Sequence, residues 1–251
     1  MRQATQGRDL ELSRRAFLAA TSGVLAGAAA LGLAGRAEAG QRHPKRGGTL
    51  RFATRLDASG LDLHRNTVYP VSMPLAAIHQ GLLDLDQKSE PVPGVAAAWE
   101  ASQDLLNYTF ELRHGVLFHN GREVDAEAVK WNFERMQDPK IANPLARAAL
   151  ENLKAAEVVD KYTVRCHLHQ PSAAFPADVV YYPCALMAPD SVEQADLHPI
   201  GCGPFKFVKW DRNNLTEMVR FENYFETDTE ATASPTWMPL LDAPRGKMGC
   251  V

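Results

Sequence analysis

The chain has 251 residues, enough for one large domain or two small ones with a sizeable core, which excludes a peptide or a disulfide-stapled mini-protein. Hydrophobic residues at 45% and charged residues at 23% exclude wholesale disorder, collagen-like repeats and a multi-span membrane protein. The net charge is -3 and no block of Lys or Arg long enough to hold a phosphate backbone follows residue 46, so nucleic acid is not an expected partner.

Ser13-Arg14-Arg15-Ala16-Phe17-Leu18 opens an uncharged run, Ala16 to Gly35, made mostly of Ala, Gly and Leu; Arg36 and then Ala37-Glu38-Ala39 follow. A basic region, an apolar region and a small-residue cleavage site read as an export signal over residues 1–39, cleaved through Ala37 and Ala39. The pair Arg14-Arg15 and the moderately apolar run resemble the twin-arginine signal, whose translocase carries folded passengers across the bacterial inner membrane. The competing reading, a transmembrane anchor, is weakened because Ala and Gly contribute little transfer energy and an A-x-A site follows. No Cys lies near the cleavage site to carry a lipid, so the expectation is a periplasmic protein that is not a lipoprotein.

Beyond the signal, Gly47 to Ala53 reads as a glycine-led strand running into a loop, Leu61-Asp62-Leu63-His64-Arg65-Asn66. Pro74 is expected to start a short helix bearing Leu75, Ile78 and Leu82, with Gly81 near its end. Within Asp104 to Arg113, Tyr108, Phe110 and Leu112 alternate with Thr109, Glu111 and Arg113, the pattern of a half-buried strand. Asp125 is a candidate N-cap for a helix with Val129, Phe133 and Met136 on one face, stopped at Asp138-Pro139. Ala156 to Val159 and Tyr162 to Leu168 form an expected hairpin, with Tyr162, Val164, Cys166 and Leu168 on one side. Trp99, Tyr108, Phe110, Leu112, Val129 and Phe133 are the expected core. Mixed strands and helices in this irregular order indicate α/β or α+β lobes.

Chemistry is scarce. No G-x-S-x-G elbow, H-E-x-x-H, phosphate loop or G-x-G-x-x-G occurs, and acidic pairs such as Asp84/Asp86 and Glu226/Asp228 fall in turn-like stretches where solvated charge is the simpler reading. Cys166-His167-Leu168-His169 places its two histidines on the opposite strand face from Cys166, which disfavours a metal site. In an oxidising compartment Cys184 and Cys202 are the pair worth testing for a disulfide. Gly201-Cys202-Gly203-Pro204 reads either as a turn needing positive φ or as exposed amides able to hold a carboxylate.

Gly81-Leu82-Leu83, Pro91 to Glu100 and Tyr108 to Gly121, followed by Asp125 to Phe133, the hairpin ending at Leu168, the Gly201 to Phe205 turn and Phe221 to Phe225, resemble the family 5 solute-binding proteins. These are oligopeptide and dipeptide receptors of bacterial ABC importers. Cys202 departs from the small hydroxyl residue usual in the family's turn. The resemblance implies a periplasmic binding protein-like fold, with residues 40–81 as the first segment of lobe I, 82–188 as a middle lobe and 189–225 as the return to lobe I. Family members continue into a further, ligand-clamping lobe, so this chain reads as truncated, with residues 226–251 as an atypical, disordered tail whose Pro235, Pro239 and Pro244 interrupt any strand. Such a form is expected to bind peptides poorly.

The implied function is capture without catalysis or cofactor: lobes close on a peptide or other small solute and present it to permease subunits in the membrane. Loosely carried over, the ligand-lining positions are Thr67, Val68 and Tyr69, then Asn143 and Leu145, then Tyr181 and Tyr182. Competing functions are a half-receptor interaction domain without a transport role and a secreted cofactor enzyme.

Overall fold

Two four-stranded sheets and the helices packed between their connections form the chain, which a computed structural model describes over residues 48–52, 57–66, 69–226 and 246–250. In chain order the first elements are β1 (Gly48–Phe52), α1 (Tyr69–Ile78), β2 (Leu83–Leu85), β3 (Pro91–Pro93), β4 (Ala96–Ala101), β5 (Asn107–Leu112) and α2 (Ala126–Gln137). There follow α3 (Pro144–Ala149), β6 (Leu153–Asp160), β7 (Thr163–Leu168), α4 (Phe175–Val180), β8 (Phe205–Asp211), β9 (Leu215–Arg220) and β10 (Gly246–Cys250), with short 3-10 turns at Tyr182–Cys184 and Pro189–Gln194. All described residues lie in one compact unit, 44–251.

The larger core lies under the antiparallel sheet of order β4-β5-β7-β6. Its register sets Trp99 opposite Phe110, Phe110 opposite Val164 and Tyr108 opposite Cys166, so side chains two apart in each strand line a common inner face. Tyr108, Phe110, Leu112, Val164, Cys166 and Leu168 are all buried there, as the alternation of sequence requires. Helix α2 closes over β6 and β7 with Val129, Phe133 and Met136 buried. Its start is fixed by Asp125, whose carboxylate accepts the Ala128 amide at 2.8 Å. Phe175 from α4 fills the remaining space, its ring 5.3 Å from Tyr108 and 6.4 Å from Phe110. Trp99 is partly buried at the margin of this core.

The second sheet has the order β1-β10-β9-β8, with β1 and β10 parallel and the other pairs antiparallel. Phe205 and Met218 from β8 and β9 pack with Ala77 and Ile78 at the end of α1. Two local expectations differ from this arrangement. Helix α1 begins at Tyr69 rather than Pro74, so the proline sits inside it and Leu82 lies beyond its end. The last residues are not structureless: Gly246–Cys250 add β10 to the sheet, pairing with β1 and β9. This strand starts after Pro244, so the prolines that break strand character upstream do not interrupt it. No described helix is long and apolar enough to cross a membrane.

Candidate functional site

Segments far apart in sequence meet at the loop Leu61–Asn66. The Asp62 carboxylate is buried and takes the Arg135 guanidinium of α2 in a two-pronged pair, Nη1 to Oδ1 at 3.0 Å and Nη2 to Oδ2 at 2.5 Å, while also accepting the His64 amide. Asn143 caps α3 by accepting the Ala146 amide at 2.8 Å, and its own Nδ2 and backbone amide both donate to the His64 carbonyl. The His64 ring donates from Nε2 to the Ala185 carbonyl at 3.3 Å. The first loop, the start of α3 and the stretch Tyr181–Ala185 are thereby fixed against one another.

On this frame Leu145 and Tyr181 are exposed at 40% and 41%, unusual for large apolar side chains that also adjoin buried structure. Tyr182 is half-buried against Leu61, Leu63, Leu75 and Ala185, and its ring meets that of Tyr181 edge-on at 5.2 Å. The side chain of Asn143 is committed to the cap and to His64, which makes it a positioning residue for this wall. Tyr69 opens α1, whereas Thr67 and Val68 lie outside the described residues, as do Arg14, Arg15, Ala37 and Ala39.

The glycine-proline turn is not a set of free amides. All four residues, Gly201 to Pro204, are buried; the Gly203 amide donates to Ile78 O at 2.9 Å, and Gly201 O accepts the His119 amide at 2.8 Å. Neither glycine has a positive φ; a Cβ on Gly201 would lie 2.2 Å from the Ile78 carbonyl oxygen, so close backbone approach is what excludes a side chain. Cys184 and Cys202 are both free and buried, so the suggested disulfide is absent, and burial pushes each thiol up to about 12. His167 turns outward onto the solvent face of the β4-β5-β7-β6 sheet, where its Nδ1 meets Asn107 Oδ1 at 2.6 Å and its Nε2 meets Glu157 at 2.9 Å. A shallow depression of about 460 Å³ lies beside it, bounded by Glu100, Thr109 and Arg165. Among the described residues no group of three or more His, Cys, Asp or Glu could hold a metal ion.

Three histidines inside the frame escape a reading by sequence. His64 Nε2, His79 Nδ1 and His119 Nε2 each donate to a carbonyl, of Ala185, Leu75 and Gly203 respectively, while the other nitrogen of each ring is buried with no hydrogen-bond partner. A proton there would be an unmet donor in a dry setting, and burial lowers all three to about 4. They are neutral at pH 7.

Residues 90–237 match the family model of the bacterial extracellular solute-binding proteins, family 5 middle. The glutathione-binding protein GsiB of Shigella boydii serotype 4 is 32% identical over 171 residues, 66% of this chain and 33% of that protein. GsiB of Salmonella paratyphi A is 33% identical over the same shares, so the match spans about a third of the length of these curated relatives. Among solved structures, the A. tumefaciens R10 binding protein AgaA in complex with agropinic acid gives a TM-score of 0.68 at 28% identity, covering 81% of this chain and 40% of that one. DppA from Helicobacter pylori in complex with the peptide STSA gives 0.67 at 24%, covering 82% and 43%, a likeness of fold. With more than half of its residues inside the family model and both sheets shared with periplasmic binding proteins, this chain belongs to the family 5 bacterial extracellular solute-binding proteins.

Proposed function

We propose that the chain captures a small solute of peptide type outside the cytoplasm and hands it to the permease of an ABC importer, without catalysis. The observation that carries this reading is the convergence on His64 of three distant segments that leave Leu145, Tyr181 and part of Tyr182 facing outward. An apolar wall backed by a rigid hydrogen-bonded frame is what an extended solute needs on one side. Relatives support the class: GsiB is named for glutathione, and the matched DppA holds a peptide. The lobe assignment is likewise a proposal, supported by β1 sharing a sheet with β8 and β9 while β4 to β7 form another. Lobe I then comprises residues 40–81 and 189–225, and the middle lobe 82–188.

The described residues supply one wall, so contacts on that side alone are expected to give dissociation constants near ~1 mM rather than the micromolar values of a closed cleft. Saturation-transfer NMR with a pool of tri- to pentapeptides should detect this binding to the chain, and Leu145→Ala with Tyr181→Ala should abolish it. Absence of transfer at several millimolar peptide, or transfer unchanged in the double variant, removes the capture site from this wall.

Export through the twin-arginine translocase completes the proposal. Replacing Arg14 and Arg15 by Lys is expected to hold the protein in the cytoplasm, read by fractionation; undiminished export of that variant refutes the assignment.

A further inference from the structure

Asp178 stands in α4 one turn before Tyr181, whose amide donates to the Asp178 carbonyl at 3.3 Å. Its side chain is half-buried, and among the described residues its carboxylate accepts no hydrogen bond and pairs with no cation. Other carboxylates around the frame are engaged: Asp62 with Arg135, Asp196 with Arg65, Asp190 with Asn120, and Glu123 with Lys161. Leaving a half-buried carboxylate unpaired costs free energy, and burial raises its acid constant above the usual range for want of a partner. The neighbouring Cys184 thiol is neutral, its ionisation pushed up to about 12, so no cation of the protein competes for this place.

We propose that Asp178, with the exposed ring of Tyr181 beside it, receives the primary ammonium group of the captured solute. The inference rests on the capture reading above and names the group that orients the ligand on the wall. A carboxylate supplies charge-assisted hydrogen bonds to an ammonium, and an aromatic face adds attraction for the same cation. Leu145 is left to contact apolar parts of the ligand.

The test compares Ala-Leu-Ala with N-acetyl-Ala-Leu-Ala on the wild-type chain and on Asp178→Asn, by saturation transfer and shift titration, with thermal unfolding to confirm that the variant is folded. Acetylation is expected to weaken binding to the wild type about tenfold, and the two peptides should bind Asp178→Asn alike. N-acetyl-Ala-Lys-Ala separates two sources of the ammonium: recovery of affinity places a side-chain amine at the site, and no recovery places the α-amine there. Equal binding of free and acetylated peptides to the wild type overturns the proposal while capture stands. So does a loss on acetylation that persists undiminished in Asp178→Asn. If no peptide binds, capture itself falls and the proposal with it. Should Asp178→Asn fail to fold, Asp178→Ser carries the same comparison, and the acetylation pair on the wild type decides independently of any variant.

Discussion

Lowering the pH from 7 to 5 is expected to remove about 6 kcal/mol of folding stability, close to the whole margin of an ordinary domain. His64, His79 and His119 are the cause. Each is held near 4 in the folded state, first by burial, against 6.5 in the unfolded chain. The unfolded state therefore binds more protons between those values, so the stability is fully present above pH 6.5 and is lost as the pH falls toward 4. At pH 5 the loss is about 2 kcal/mol per histidine. Urea midpoints at pH 7.5, 6.5, 5.5 and 5.0 should fall steeply below 6.5, with two to three protons taken up per molecule unfolded at the low end. His79→Leu should flatten the slope by about one proton. Its Leu75 carbonyl partner keeps the His79 backbone amide at 2.9 Å, so no group is orphaned by the change. A midpoint constant from pH 7 to 5 would falsify the assignment of three neutral buried imidazoles.

Asp62→Asn or Arg135→Met is expected to cost about 3 to 5 kcal/mol each, because either change leaves one full charge stranded in a dry joint. The side chains of the pair are only 2% and 7% exposed, and their two contacts tie the Leu61–Asn66 loop to α2. The double substitution should cost far less than the sum, since two neutral groups of similar volume can pack without a desolvated charge. Chemical denaturation of the three variants gives the coupling directly. Losses below about 1 kcal/mol in both single variants, as for surface pairs, would show that water reaches the joint. Loss of this pair should also weaken peptide binding, because Asn143 hangs from the same loop through the His64 carbonyl.

Local pattern carries the middle sheet and its helix. Tyr108, Phe110 and Leu112, the β7 alternation, and Asp125 ahead of Val129 and Phe133 all depend on neighbours within a few residues, and each stands where its period puts it. The joint is different in kind. His64 reaches Ala185 across 121 positions and His119 reaches Gly203 across 84, so nothing in the short loops that hold them signals burial. Leu61 to Asn66 reads as loop, and Phe118 to Gly121 as a turn, because their partners are supplied by the fold alone. Gly201 is similar: its constraint is a carbonyl of α1 that no spacing reveals. The outward-facing positions Leu145, Tyr181 and Tyr182 came from family resemblance, whereas the carboxylate of Asp178 becomes conspicuous only once its lack of partners is seen.

The placement of β10 between β1 and β9 sets an order of events during synthesis. Residues 48–52 leave the ribosome early, yet their hydrogen-bonding neighbour is residues 246–250, and β9 touches β1 only through that strand. The β4-β5-β7-β6 sheet can close as it emerges, but this one must wait with an unpaired edge until nearly the whole chain is out. Such late closure exposes β1 to wrong pairing for most of translation, which makes holding by a chaperone before translocation advantageous.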